Sequence, residues 1–131
     1  MAEDLEGPGK RSYDVLRATE AAVPALEIID YRTEVPRLIL DTIADNAAFG
    51  AIVVGGRPVR SYGIDIRWIG EALSKNGVSG DSGGSAAVMG HPAAGIAWLV
   101  NKRHGVGAGL KKARSYSAAR LAGPSASRRK M

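Results

Sequence analysis

KNGVSGDSGGSAAVMGHPAAGIAWLVNKRHG, residues 75 to 105, is the stretch on which the fold turns. Asn76-Gly77 is a strong turn signal because both residues tolerate positive φ, and it places Gly80 to Gly84 just past a hairpin, on or beside the returning strand. Beyond His91-Pro92, Ile96, Leu99 and Val100 recur at helical spacing, basic residues fill the last turn and Gly105 is a stop. AAGIAWLVNKRHG is therefore predicted to be a helix.

Within that stretch GDSGG, Gly80 to Gly84, is also the string of the nucleophile loop in trypsin-like serine proteases. A serine hydroxyl is a poor nucleophile near neutral pH until a histidine takes its proton and an acid orients that histidine. In the trypsin-like order both partners precede the serine, whereas the two histidines here, His91 and His104, follow Ser82. With 131 residues and no cysteine the chain is also too short for paired barrels and lacks a secreted protease's disulfides. Ser82 is read as part of a connection.

Upstream, Ser12 is an N-cap candidate for a short helix through Asp14 to Thr19, with Val15 and Leu16 inward. In AAVPALEIIDYR, Val23, Leu26, Ile28 and Ile29 make a strand-length apolar run with Pro24 at its edge. Glu27 and Asp30 sit inside it, and an unpartnered buried carboxylate is costly. PRLILDTIADNAA, residues 36 to 48, reads as a helix or ordered loop. AIVVGG from Ala51 reads as a strand stopped by glycines, and IDIRWI alternates loosely.

The length fits at most one domain, and 45% hydrophobic residues suffice for one core. No apolar run approaches a membrane span, and the acidic start MAEDLEGPGK is neither a signal nor a transit peptide, so the cytoplasm is the expected location. The net charge of +5 is unevenly spread. All 13 acidic residues lie at or before Asp81 with nine of the 18 Lys and Arg, a balance of −4, and the other nine basic residues follow with no acid among them. That pattern is a basic tail on an acidic body. From Lys111 onward, KKARSYSAARLAGPSASRRKM has no hydrophobic periodicity and reads as a disordered, solvated tail. As a phosphate-binding module it has only Tyr116 for stacking and no nucleic-acid motif, so a non-catalytic basic binding module is the weaker alternative.

Taken in order, DLEGPG (4 to 9), VPALEIIDYR (23 to 32), DTIADNAA (41 to 48), GGRP (55 to 58), IDIRWIG (64 to 70), KNGV (75 to 78) and GHPAAGIAWLVNK (90 to 102) resemble the 2-keto-4-pentenoate hydratase family. That family belongs to the fumarylacetoacetate-hydrolase-like superfamily and includes 2-oxo-3-hexenedioate (4-oxalocrotonate) decarboxylases. Several motifs in family order are more specific than any one alone. DNAA, GGRP and DIRWI are most similar to the branch that hydrates 2-oxohept-4-ene-1,7-dioate. The resemblance implies an α+β fold, the superfamily's mixed β-roll or barrel with flanking helices, incomplete here and spanning residues 1–110. It implies a hydro-lyase that adds water to a 2-oxo-alkenoate such as 2-oxohept-4-ene-1,7-dioate or 2-hydroxypenta-2,4-dienoate, in aromatic-compound catabolism. Within the family the alternative is decarboxylation.

The resemblance further implies Mg²⁺ or Mn²⁺ held by three acidic side chains, of which Glu27 in PALEIID is the third. The plain alternative is a Glu27 on a solvated strand face. Asp30, Asp45 and Asn46 match positions near the family's active site, and Lys102 falls on its Asn-Lys pair, where a helix C-terminus equally suits a cation. His91 is read as a turn residue, because a lone histidine beside proline has no ligand partner at useful spacing. Partners implied are a small 2-oxo or 2-hydroxy-dienoate and, as in the intact family, further copies of the chain.

The family's other two ligands, an E-x-E pair, precede the DLEGPG segment, as do a lysine and an aspartate proposed for proton transfer, so the expectation is a chain truncated at its N-terminus, inactive alone. At the other end, Arg114 to Met131 can be encoded so that the neighbouring frame reads EVILGGSLGRPVRVAPEN, similar to a family strand. Residues 111–131 are thus expected to be a frameshifted tail.

Overall fold

The computed structural model describes residues 1–116. Its elements are α1 (Ser12–Ala18), β1 (Ala25–Ile29), α2 (Ile39–Ala44), β2 (Phe49–Val54), β3 (Gly70–Lys75), β4 (Val78–Gly84) and α3 (Pro92–His104), with 3₁₀ turns at Asn46–Ala48, Ile66–Trp68 and Ser85–Ala87. They form two compact units, one of residues 22–58 and one of the chain on either side of it. Helices and two antiparallel two-stranded sheets, β1-β2 and β3-β4, make a mixed architecture, with no closed barrel among the described residues.

In the discontinuous unit, α3 presents Ala93, Ile96, Ala97 and Val100 along one face, and these bury with Val15 and Ala18 of α1 and with Leu5 and Leu110. Leu99 is only partly buried, so the stripe is carried by two alanines that the spacing of larger residues did not reveal. Ser12 is the first helical residue of α1. Arg11 takes the N-cap position, and the Asp14 carboxylate accepts its backbone N–H at 2.9 Å. At the far end the buried Ser61 hydroxyl lies 3.0 Å from the Leu16 carbonyl, which also accepts the Thr19 N–H, and 3.1 Å from that of Thr19, so its one hydrogen is shared between carbonyls at the helix end. His91 caps α3, its Nδ1 accepting the Ala93 N–H at 3.0 Å, as the turn role required.

The hairpin forms where Asn76-Gly77 predicted it. Lys75 pairs with Val78, and the two turn residues have φ of 53° and 79°, a left-handed pair whose twist suits the strands. GDSGG lies wholly in β4, with Ser82 opposite Ala72. The loose alternation of IDIRWI does not extend into a strand. The Asp65 carboxylate accepts the Arg67 N–H at 3.0 Å and turns the backbone there, while buried Ser85 Oγ donates to the Arg67 carbonyl and accepts the Ile69 N–H.

The two flanking segments of this unit meet. Leu5 and Leu110 exchange both backbone hydrogen bonds, at 2.9 and 2.8 Å. Asn101 grips Lys10 in the same manner, its Oδ1 accepting the Lys10 N–H at 2.9 Å and its Nδ2 donating to the Lys10 carbonyl at 2.8 Å. Of the tail expected from Lys111, residues 111–116 run beside the N-terminal segment: Lys111 Nζ reaches Asp4 and Glu6 at 3.1 and 3.2 Å, and Tyr116 packs on the core. The remainder of that tail lies outside the described residues.

Candidate functional site

Four of the five expected site residues, Glu27, Asp30, Asp45 and Asn46, fall within residues 22–58, and the fifth, Lys102, belongs to the other unit. β1 and β2 pair antiparallel, Glu27 opposite Ile52 and Leu26 opposite Val53. A bulge after Ile28 leaves Gly50 unpaired, and no larger residue fits there, because a Cβ at Gly50 would lie 2.7 Å from Asp30 Cβ and 2.9 Å from the Ile28 carbonyl oxygen. Both faces of the ribbon are open: Leu26 and Val53 are 51% and 52% exposed on one, and Ile52 and Val54 are 43% and 59% exposed on the other, which Glu27 shares.

Asp30 follows β1, and its N–H donates to the Ala48 carbonyl at 2.9 Å. This ties it to a left-handed turn in which Asn46, Ala47 and Ala48 have φ of 51°, 56° and 60°. Such a conformation costs an L-residue roughly 1 to 2 kcal/mol, less for asparagine, so three in succession persist only where surrounding contacts over-determine them. Arg32 supplies those contacts. Its backbone N–H donates to Asp45 Oδ2 at 3.1 Å and its Nε to Asp45 Oδ1, Nη2 donates to the Asp45 carbonyl at 2.8 Å, and Nη1 and Nη2 donate to the Phe49 carbonyl at 3.1 and 3.2 Å. One guanidinium thus holds the residue before the turn and the residue after it. The Arg32 side-chain hydrogen bond, and then the bond from its backbone, keep the Asp45 carboxyl below its ordinary value of 3.8. Asp45 is itself buried at 8% exposure. Close by in sequence, the Arg37 guanidinium stacks 3.6 Å from the Tyr31 ring centre.

Glu27 is exposed on its strand, Asp30 and Asn46 are exposed beside the turn, and Asp45 alone is buried and ion-paired. Lys102 is exposed in the last turn of α3 beside Arg103 and His104, where cations suit the helix's free carbonyls. Ser82 is exposed and has no histidine hydrogen-bonded to it among the described residues, so GDSGG has no activated nucleophile. A divalent hard cation needs several anionic oxygens. Among the described residues no three His, Cys, Asp or Glu side chains come together, so these residues do not by themselves fit a complete metal site, and Glu27 offers one carboxylate.

No family model matches the chain. Individual proteins do. It is 44% identical over 109 residues to a 2-oxo-hept-4-ene-1,7-dioate hydratase of Escherichia coli, covering 78% of this chain and 41% of that protein. It is 42% identical over 102 residues to a 2-hydroxyhexa-2,4-dienoate hydratase of Comamonas testosteroni, covering 77% and 39%. Among solved structures, 4-oxalocrotonate decarboxylase from Pseudomonas putida G7, complexed with magnesium and adipate, superposes with a TM-score of 0.78 at 33% identity, covering 84% of this chain and 42% of that one. The same enzyme complexed with calcium and acetate gives 0.75 at 34% identity. The chain belongs to this family of hydratases and decarboxylases, and it spans about two fifths of the length of the relatives it matches.

Proposed function

We propose that this chain is part of a hydro-lyase that adds water to a 2-oxo-alkenoate, of the class of 2-oxohept-4-ene-1,7-dioate or 2-hydroxypenta-2,4-dienoate, in cytoplasmic breakdown of aromatic compounds. The observation that carries the reading is the 44% identity to the Escherichia coli hydratase over most of this chain. The cation is taken to be Mg²⁺ or Mn²⁺, with Glu27 one of its ligands, and the complete fold to be the β-roll of the superfamily. The described residues leave that metal site incomplete, so the chemistry of the chain's own groups is stated without it.

Hydration of a double bond takes a proton from water and delivers one to carbon, so the site needs a base and a group that orients oxygen. Asp30 is exposed and has no ion-pair partner among the described residues, which leaves its carboxylate open to accept a hydrogen bond from water, the role proposed for it. The exposed Asn46 amide, on the turn to which Asp30 is tied, can orient water or a substrate oxygen. Asp45 is already committed to Arg32 and acts as an anchor. Lys102, in the other unit, is proposed only from its match to the family's Asn-Lys pair.

Glu27→Gln keeps the size of the side chain and removes its charge. In the chain completed with the segments of the Escherichia coli relative that it does not span, it is expected to lower turnover of 2-hydroxypenta-2,4-dienoate with Mg²⁺ by about 10²-fold or more while thermal unfolding is unchanged. Full activity of that variant would remove Glu27 from the site, and no turnover of either substrate by the completed chain would remove the hydratase activity. Because the superposed structures are decarboxylases, CO₂ release from 4-oxalocrotonate is the assay for the second reading.

A further inference from the structure

Three consecutive left-handed residues that are not glycine form a strained segment, and strained segments gather where a site must be held in one shape. The turn Asn46–Ala48 lies between two residues that the same side chain grips. Arg32 holds the carboxylate and the carbonyl of Asp45 on one side and the carbonyl of Phe49 on the other. The turn in turn fixes Asp30, through the bond from its N–H to the Ala48 carbonyl, and carries Asn46 itself. A lysine has the same charge but presents its three N–H donors from one nitrogen, so it cannot reproduce the four bonds that the planar guanidinium makes to the Asp45 carboxylate, the Asp45 carbonyl and the Phe49 carbonyl.

We propose that Arg32 is a positioning residue of the candidate site: its guanidinium clamps the left-handed turn and thereby sets the placement of Asp30 and Asn46 for the reaction. The kinetic half of this rests on the hydratase reading above. Arg32 need not touch substrate. Its contribution lies in the shape of the segment between Asp30 and Phe49.

The test compares the unaltered chain with Arg32→Lys and Arg32→Gln, measuring backbone HN–Hα couplings of Asn46, Ala47 and Ala48 by NMR, and measures turnover of 2-hydroxypenta-2,4-dienoate with Mg²⁺ for the same three sequences in the completed chain described above. The expected result is that both variants lose the couplings of positive φ at the three residues, and that kcat falls by about 10²-fold with KM nearly unchanged, as for reacting groups displaced by about an ångström. A purely structural role would lower melting temperature and active fraction together and leave kcat per folded molecule intact. Couplings that stay left-handed in Arg32→Lys overturn the clamp, whatever the activity. Couplings that change while kcat holds overturn the positioning role. If the completed chain turns nothing over, the hydratase reading fails, and the couplings alone support or overturn the clamp.

Discussion

Glu27 and Asp45 are both acids among apolar neighbours, and their surroundings divide their chemistry. Asp45 accepts two hydrogen bonds from Arg32 and is held below its ordinary value of 3.8, the side-chain bond first and the backbone bond second. A depressed carboxyl contributes stability that is complete above its unfolded value and is lost as pH falls through its folded value. The Asp45 anchor is therefore expected to be intact at neutral pH and to fail below about pH 3.8. A carboxyl-carbon NMR titration checks this: Asp45 should titrate below that value, and Arg32→Lys should move the midpoint upward. A midpoint unmoved by the substitution would show that Arg32 is not the cause. The sequence marked Asp45 by its resemblance and could not distinguish anchor from catalyst, because nothing in DTIADNAA shows that an arginine thirteen residues earlier returns to it.

Elements set by local chemistry were the legible ones. Asn76-Gly77 made a hairpin and His-Pro opened a helix, because turn and cap preferences act within a few residues. IDIRWI had alternation but not a strand, since the Asp65 and Ser85 hydrogen bonds outweigh a weak pattern. Asn101 went unread beside Lys102, although it is Asn101 that docks the segment at Lys10 on α3 by two side-chain bonds. Removing them in Asn101→Ala is expected to cost about 1 to 3 kcal/mol, read from the midpoint of chemical unfolding with an unchanged slope. A shift below a few tenths of a kcal/mol would mean that water replaces the side chain without penalty.

At the scale of the whole molecule, apolar exposure divides the chain. The core of the discontinuous unit is closed around Val100 and Leu110, whereas the β1-β2 ribbon is open on both faces and both strands leave an outer edge unpaired among the described residues. Edges and apolar faces of that kind favour pairing with other chains. Sedimentation velocity is expected to show species larger than the monomer that diminish on dilution, and a sharp monomer at all concentrations would contradict this. The resemblance identified the family, but exposure depends on which elements lie against which, and no residue string carries that. The Ser61 hydroxyl, 3.1 Å from the Thr19 carbonyl, has a separate consequence for how the gene can be edited. The chain departs for residues 22–58 and returns within one hydrogen bond of where it left, so that excursion is a loop in the topological sense. Replacing it with a short glycine-serine bridge is expected to leave a miniature protein with the circular-dichroism helix signal and cooperative melting of α1 and α3. A melted product would show that the excursion also acts as a folding template.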